Sequence, residues 1–286
     1  MLGAAFFFAT HGPLVRMVAT DLDPLAIAFF RSALLFVFVL PWLARGGGAV
    51  LRTKRPGKQI VRSIFSMSGL VFLILAQAKL PLAEVSALSF AQPLFATVGA
   101  ALILREAVRS RHWIATFVGL AGVWIILRPG FEIVDPLFLL PIASAALVAA
   151  SNLMVKSLSG EDAPNTVVAW MIVMSVPITL VPALFAWSLP SLQSLGWLAL
   201  LSGAGLIAHQ CLTRSFTAAN ASAVLPYDYM RLVVTATLAY LAFGEVPTIW
   251  TWIGAAVIVG AVVYIARREA VAARVSDSTD LLGGQP

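Results

Sequence analysis

The sequence predicts an all-α integral membrane protein, with ten transmembrane helices in two inverted five-helix repeats. Three observations predict it. Of 286 residues, 60% are hydrophobic and only 11% charged, and mean hydropathy is +0.93. A soluble domain carries about 25% charged residues, so the bilayer must be the solvent. Residues 85–128, moved forward 139 positions, fall on 224–267 without a gap. Leu102/Leu241, Glu106/Glu245, Trp113/Trp252 and Arg128/Arg267 then coincide, and a duplicated half is a common plan among secondary transporters. The third observation is where the cations lie.

Hydropathy, charge and Pro/Gly punctuation give ten spans, since about 20 apolar residues cross roughly 30 Å of hydrocarbon. They cover 1–19, 24–44, 61–79, 82–104, 112–128, 136–157, 164–187, 194–213, 220–243 and 248–267. Asp23-Pro24, Asp135-Pro136 and Ala163-Pro164 open three of them, because Pro suits the first helical position. Stretch 1–19 lacks a basic leading region and a small-residue cleavage site. It is read as a first span, not as a cleaved signal.

With the N-terminus placed inside, inside segments hold 14 of the 19 Lys and Arg and outside segments hold two, Lys79 and Arg128. The remaining three, Arg16, Arg31 and Arg231, lie within spans. By the positive-inside rule both termini are cytoplasmic. Five spans separate the copies, so the halves are inverted: 1–130 and 131–268, with 269–286 expected to be a disordered cytoplasmic tail. The net charge of +6 sets orientation and does not point to nucleic acid.

Ionisable groups inside a span are expensive and mark pathways. The richest stretch is Pro226-Tyr227-Asp228-Tyr229-Met230-Arg231. Asp228 and Arg231 share a helical face. Asp228 suits a coupling proton or a substrate amine, and Arg231 an anionic or carbonyl group. Tyr227 and Tyr229 would stack or hydrogen-bond. The competing reading is an ion pair that only fixes packing. The repeat sets Ser89 against Asp228 and Gln92 against Arg231, giving a second polar face. Arg31, His11 beside Gly12-Pro13, Asn152 and Trp170 complete the expected substrate site, with His209 and Gln210 as similar candidates. Each has a plainer alternative as a satisfied packing residue.

Glu106 and Glu245 sit at helix ends and read as capping or gate contacts. Trp113 and Trp252 read as interfacial anchors. Ala115-x-x-x-Gly119 and Ala256-x-x-x-Gly260 suit close helix packing or a homodimer contact. The one cysteine, Cys211, makes no internal disulfide. No Walker lysine motif, metal-ligand spacing or nucleophile elbow occurs, so neither metal, cofactor nor enzymatic activity is expected.

These residues resemble the EamA-type members of the drug/metabolite transporter superfamily. Pro24-Leu-Ala-Ile-Ala-Phe-Phe-Arg31, Ala87-Leu-Ser-Phe-Ala-Gln-Pro93, Leu104-Arg-Glu106 and Trp113 carry the resemblance. So do Phe243-Gly-Glu245 and Trp252-Ile-Gly254. It covers 1–268 and implies a ten-helix inverted-repeat bundle around a central cavity, in the inner membrane, moving a small molecule. Tyr227-Asp-Tyr-Met-Arg231, with Trp250-Thr-Trp252-Ile-Gly254 and Arg267-Arg-Glu269, is similar to a branch of riboflavin and S-adenosylmethionine uptake proteins. Leu232, where the first copy has Pro93, departs from strict repeat symmetry. The function implied is uptake of a vitamin or cofactor-like compound such as riboflavin. Export of amino acids or amphipathic drugs is the alternative, and a membrane enzyme or scaffold the remote one.

Overall fold

The computed structural model describes residues 2–46, 51–103, 110–127, 135–158, 162–218, 230–261, 263–264 and 267. Glu106, Tyr227, Asp228, Tyr229 and the tail 269–286 lie outside the described residues. All regular structure among the described residues is helical. In chain order the helices are α1 (Leu2–Ala9), α2 (His11–Val18), α3 (Pro24–Gly46), α4 (Pro56–Lys79), α5 (Leu82–Ser89) and α6 (Gln92–Ile103). Then come α7 (Ser110–Leu127), α8 (Leu139–Leu158), α9 (Pro164–Ala183), α10 (Leu192–Ala218), α11 (Met230–Phe243) and α12 (Ile249–Ala261).

Five of the described helical segments are long and apolar enough to cross a membrane by themselves: Pro24–Arg45, Pro56–Lys79, Pro136–Val155, Asn165–Ala186 and Leu192–Cys211. The other expected spans appear as shorter or interrupted helices. Polar side chains set several starts. Leu25 N–H donates to the Asp23 carboxylate and Leu137 N–H to that of Asp135. The N–H groups of Ser194 and Thr251 donate to the hydroxyls of Ser191 and Thr248. Each satisfies a donor the helix leaves open.

Two expected spans are broken, and proline explains both breaks. Pro13 has no N–H for the Ala9 carbonyl, and Pro93 has none for that of Ser89. The chain breaks at Thr10, whose hydroxyl turns back to the Phe7 carbonyl at 2.7 Å. Around Phe90 and Ala91 the ladder tightens: the N–H groups of Phe90, Ala91 and Leu94 reach carbonyls three residues back. The Ala9 carbonyl instead meets the Thr235 hydroxyl of α11 at 3.5 Å.

Helix α4 packs on α8 in antiparallel fashion. Ser144 Oγ donates to the Gly69 carbonyl at 2.7 Å, and Ser151 Oγ to that of Arg62 at 3.2 Å. Helix α10 packs on α1, α2 and α3, and α9 on α3 and α4. Helices α7 and α12 cross backbone to backbone. A Cβ at Gly122 would lie 2.8 Å from the Gly254 carbonyl oxygen, and one at Gly254 would lie 2.6 Å from that of Gly122. Gly119 is filled by Leu94 instead, while Gly260 has nothing within 4 Å among the described residues. The spacing Ala256-x-x-x-Gly260 therefore does not mark this crossing; Gly254, on the opposite face, does.

One buried cluster joins Leu88, Ala91, Leu94, Val123, Leu232 and Ile258. A second joins Val15, Val18, Ile27, Ile74, Leu198 and Leu201. Phe117, Trp124, Phe185 and Leu241 point outward, as lipid-facing side chains do.

Candidate functional site

Between the breaks, five spans bring polar side chains together. His11, the first residue of α2, places Nδ1 2.8 Å from Gln77 Oε1 on α4. A carbonyl oxygen only accepts, so Nδ1 carries the hydrogen and Nε2 of the neutral ring is left as an acceptor. Arg31, two turns into α3, has an enclosed Nε with no hydrogen-bond partner. Its backbone carbonyl accepts from Ser202 Oγ of α10 at 3.1 Å. One turn along, a Cβ at Gly205 would come within 3.4 Å of Arg31 Nη2, so the glycine leaves room for the guanidinium. Next on α10, His209 meets the Phe8 ring edge-on, with centroids 5.1 Å apart. Arg231 lies over the Phe90 ring, 4.9 Å from its centroid, a cation–π contact. Arg31, Arg231 and His209 all act electrostatically on His11.

Beyond His209, α10 borders a half-open hollow of about 450 Å³ lined by Leu206, Ile207, Gln210 and Cys211.

The structure separates other expected members from this cluster. Trp170 Nε1 donates to the Leu51 carbonyl at 3.0 Å, clasping the segment before α4. Asn152 is exposed beside Ser151, at the level of Arg62. Gln77 lies 15 residues farther along α4, roughly 22 Å at 1.5 Å per residue. Ser89 Oγ bonds back to the Val85 carbonyl at 2.8 Å, and Gln92 is half-buried at the start of α6. The structure also adds a member: Gln77, an amide inside the apolar run Ile74-Leu-Ala-Gln77.

One end of the bundle is tied by Arg16. It pairs with Glu245 and donates to the Leu80 carbonyl and, at 3.2 Å, to that of Gln77. Its guanidinium also lies 5.5 Å from the Phe243 ring centroid. The other Glu245 oxygen accepts from Leu82 N–H at 2.9 Å, the capping contact expected of it. Gly244, at φ +68°, turns the chain out of α11 to bring Glu245 there, a conformation glycine adopts readily. Nearby, Asp21 accepts from Ser194 Oγ at 2.6 Å and Ser191 N–H at 3.3 Å.

The far end has a matching tie. Asp162 accepts from Thr53 Oγ1 at 2.6 Å and Gln59 Nε2 at 2.8 Å. The 24 residues of α4, about 36 Å of helix, separate the two. The Ser194 and Ser191 bonds hold Asp21 below the ordinary aspartate value, and the Thr53 bond, helped by Gln59, does the same for Asp162. A lowered carboxylate stabilises the fold above its ordinary value of 3.8, and that stabilisation is lost as pH falls through the lowered one. Asp162→Asn should therefore lower the melting temperature at pH 7, with the gap to the parent closing below about pH 4. Melting curves of both proteins against pH test this; a gap unchanged at pH 3 overturns it.

Comparisons with known proteins agree with this architecture. A 34% identical relative over 276 residues, 94% of this chain and 92% of its own length, is a riboflavin transporter from Vibrio cholerae serotype O1. A 27% identical one, over 89% of this chain and 87% of its own, is an S-adenosylmethionine uptake transporter from Rickettsia bellii. A crystal structure at 20% identity superposes with TM-score 0.61, covering 93% of this chain and 96% of its own, which shows a shared fold. The sequence profile of the EamA-like transporter family matches residues 1–128 and again 136–267. The chain therefore belongs to the EamA-like transporter family, and it moves small metabolites across a membrane as a multi-pass helical protein.

Proposed function

We propose that this protein is an inner-membrane carrier for uptake of riboflavin or a closely similar flat heterocycle. The observation that carries the reading is the convergence of Arg31, His11, Gln77, His209 and Arg231 inside an otherwise apolar bundle. Polar and ionisable groups inside membrane spans mark a pathway by default. Two aromatic rings, Phe8 and Phe90, stand beside them. The riboflavin transporter of Vibrio cholerae, similar along nearly the whole chain, supplies the substrate.

The proposal includes ten spans in two inverted repeats, 1–130 and 131–268, with both termini cytoplasmic. The double match of the family profile supports it. So does the packing, because exchanging halves exchanges contacts: α4 on α8 becomes α10 on α1 and α2, and α4 on α9 becomes α10 on α3. Such exchange lets one site open to each side in turn. Asp228, one turn before Arg231, is the proposed proton carrier.

The test is thermal stability of the detergent-purified protein with riboflavin, S-adenosylmethionine and cationic drugs. A ligand at 100 times its Kd adds about 2.7 kcal/mol, and riboflavin should give the largest shift. No shift with riboflavin, against one with another class, overturns the substrate. In vesicles Asp228→Asn should lose concentrative uptake and keep exchange. Uptake that still rises against a gradient removes the proton role.

A further inference from the structure

We infer that Arg31 selects the substrate: its guanidinium takes a carbonyl-bearing or anionic edge of a flat ring and turns away ligands of net positive charge. The inference rests on the carrier reading of this cluster and goes on to name the residue that discriminates.

A guanidinium is a planar fork of five donors that is never neutral in a protein. Inside a membrane bundle each donor wants a partner, yet Arg31 Nε has none. The structure fixes the residue from two sides. Ser202 holds its backbone carbonyl, and Gly205 supplies the clearance beside Nη2. A Cβ at position 205 would just touch Nη2, at 3.4 Å, and a branched side chain there would crowd it. Nε is enclosed without a partner among the described residues, and Nη2 faces the Cβ-free side of Gly205, so the described part of the chain leaves the fork open to a ligand.

The neighbours narrow its chemistry. His11, His209 and Arg231 are each basic, and His11 feels both guanidiniums. Among the described residues the acids lie at the two ends, and Asp228, outside them, can offset only one of the two guanidiniums. Glu245 is taken by Arg16, Asp21 by Ser191 and Ser194, and Asp162 by Thr53 and Gln59. A cationic ligand entering the cluster meets like charge, which is strongly unfavourable in a desolvated site. A carbonyl oxygen or an anion meets a waiting donor. Once His11 Nδ1 donates to Gln77, Nε2 supplies an acceptor for a ring N–H. Donor fork and acceptor nitrogen together suit an edge in which a carbonyl adjoins an N–H, as in the imide of an isoalloxazine ring. A site built to hydrogen-bond such an edge discriminates more sharply than an apolar one, because its own polar groups stay unpaired with the wrong ligand.

The experiment titrates purified full-length protein with two probes. One is lumiflavin, the isoalloxazine ring without the sugar-alcohol chain, read by its fluorescence. The other is S-adenosylmethionine, read by competition. Arg31→Gln should weaken lumiflavin binding at least tenfold and narrow the preference over S-adenosylmethionine at least tenfold. Arg31→Lys should keep the exclusion of the cation, which needs only charge, without restoring ring affinity, which needs the fork. Gly205→Val crowds the guanidinium without changing any charge. It should weaken lumiflavin several-fold, and it decides the matter if Arg31→Gln does not fold. A folded Arg31→Gln with both affinities within twofold of the parent overturns this inference and leaves the carrier reading standing. A parent that binds neither probe overturns the substrate reading and the inference with it.

Discussion

Gly254→Leu should cost at least about 3 kcal/mol of stability, the upper end of what overpacking usually costs. A Cβ there would lie 2.5 Å from Ile126 Cγ1 and 2.6 Å from the Gly122 carbonyl oxygen. Ile126 could rotate aside; the carbonyl belongs to the backbone of α7 and cannot. Helix α12 would have to lift off α7, opening the buried cluster of Val123, Ile126, Ala255 and Ile258. Gly122→Leu faces the same obstacle from the other side, 2.8 Å from the Gly254 carbonyl oxygen. Gly260→Leu, on the same helix, is the control, with nothing within 4 Å among the described residues. Heating in detergent followed by gel filtration measures all three. If Gly254→Leu melts within a degree or two of Gly260→Leu, the crossing is not where the structure puts it.

Glu245→Gln is expected to cost about 1–3 kcal/mol, below the 3–5 of a fully buried pair, because the partners keep 16% and 21% of their side-chain exposure. The amide oxygen can still accept from Leu82 N–H, so the loss isolates the charge left on Arg16. Arg16→Met should cost more, since it also strips donors from the Leu80 and Gln77 carbonyls that close α4. The double variant should fall short of the sum by about 1 kcal/mol or more, as residues in one network do. Strict additivity would mean the pair contributes nothing.

The all-helical class, five of the spans and several starts were legible in the sequence because lipid imposes a coarse rule: about 20 apolar residues, then charge. Pro13 and Pro93 carried the signal for the two breaks, since a missing N–H is a local fact, but both stretches read as continuous spans. Arg31 was left between a cavity role and a packing one, and the structure adds that its Nε is enclosed without a partner among the described residues. Glu245 was legible as a helix-end contact, but its partner was not, because Arg16 is 229 positions away and nothing local links them. Trp170 misled, since an indole in an apolar span looks the same whether it lines a cavity or clasps the Leu51 carbonyl. Gln77 was overlooked because only the tertiary packing brings His11 to it. The glycine spacing marked an exposed face of α12, and the crossing with α7 falls on Gly254 instead, since spacing gives the period of a helix and not its rotation. Tyr227, Asp228 and Tyr229 lie outside the described residues, and their case stands on sequence.

The breaks at Thr10 and at Phe90–Ala91 also bear on how this interior should be mapped. Pro13 and Pro93 take the usual helical donors from the Ala9 and Ser89 carbonyls, and Ala9 has turned to a hydroxyl on another helix. These oxygens belong to no side chain, so an alanine scan along the two spans leaves both in place and scores their positions as silent. A helical donor returns to them only in Pro13→Ala or Pro93→Ala, where it would compete with Thr235 for the Ala9 carbonyl. Part of what ties these helices together is therefore written in the main chain, and its map has to be drawn with prolines.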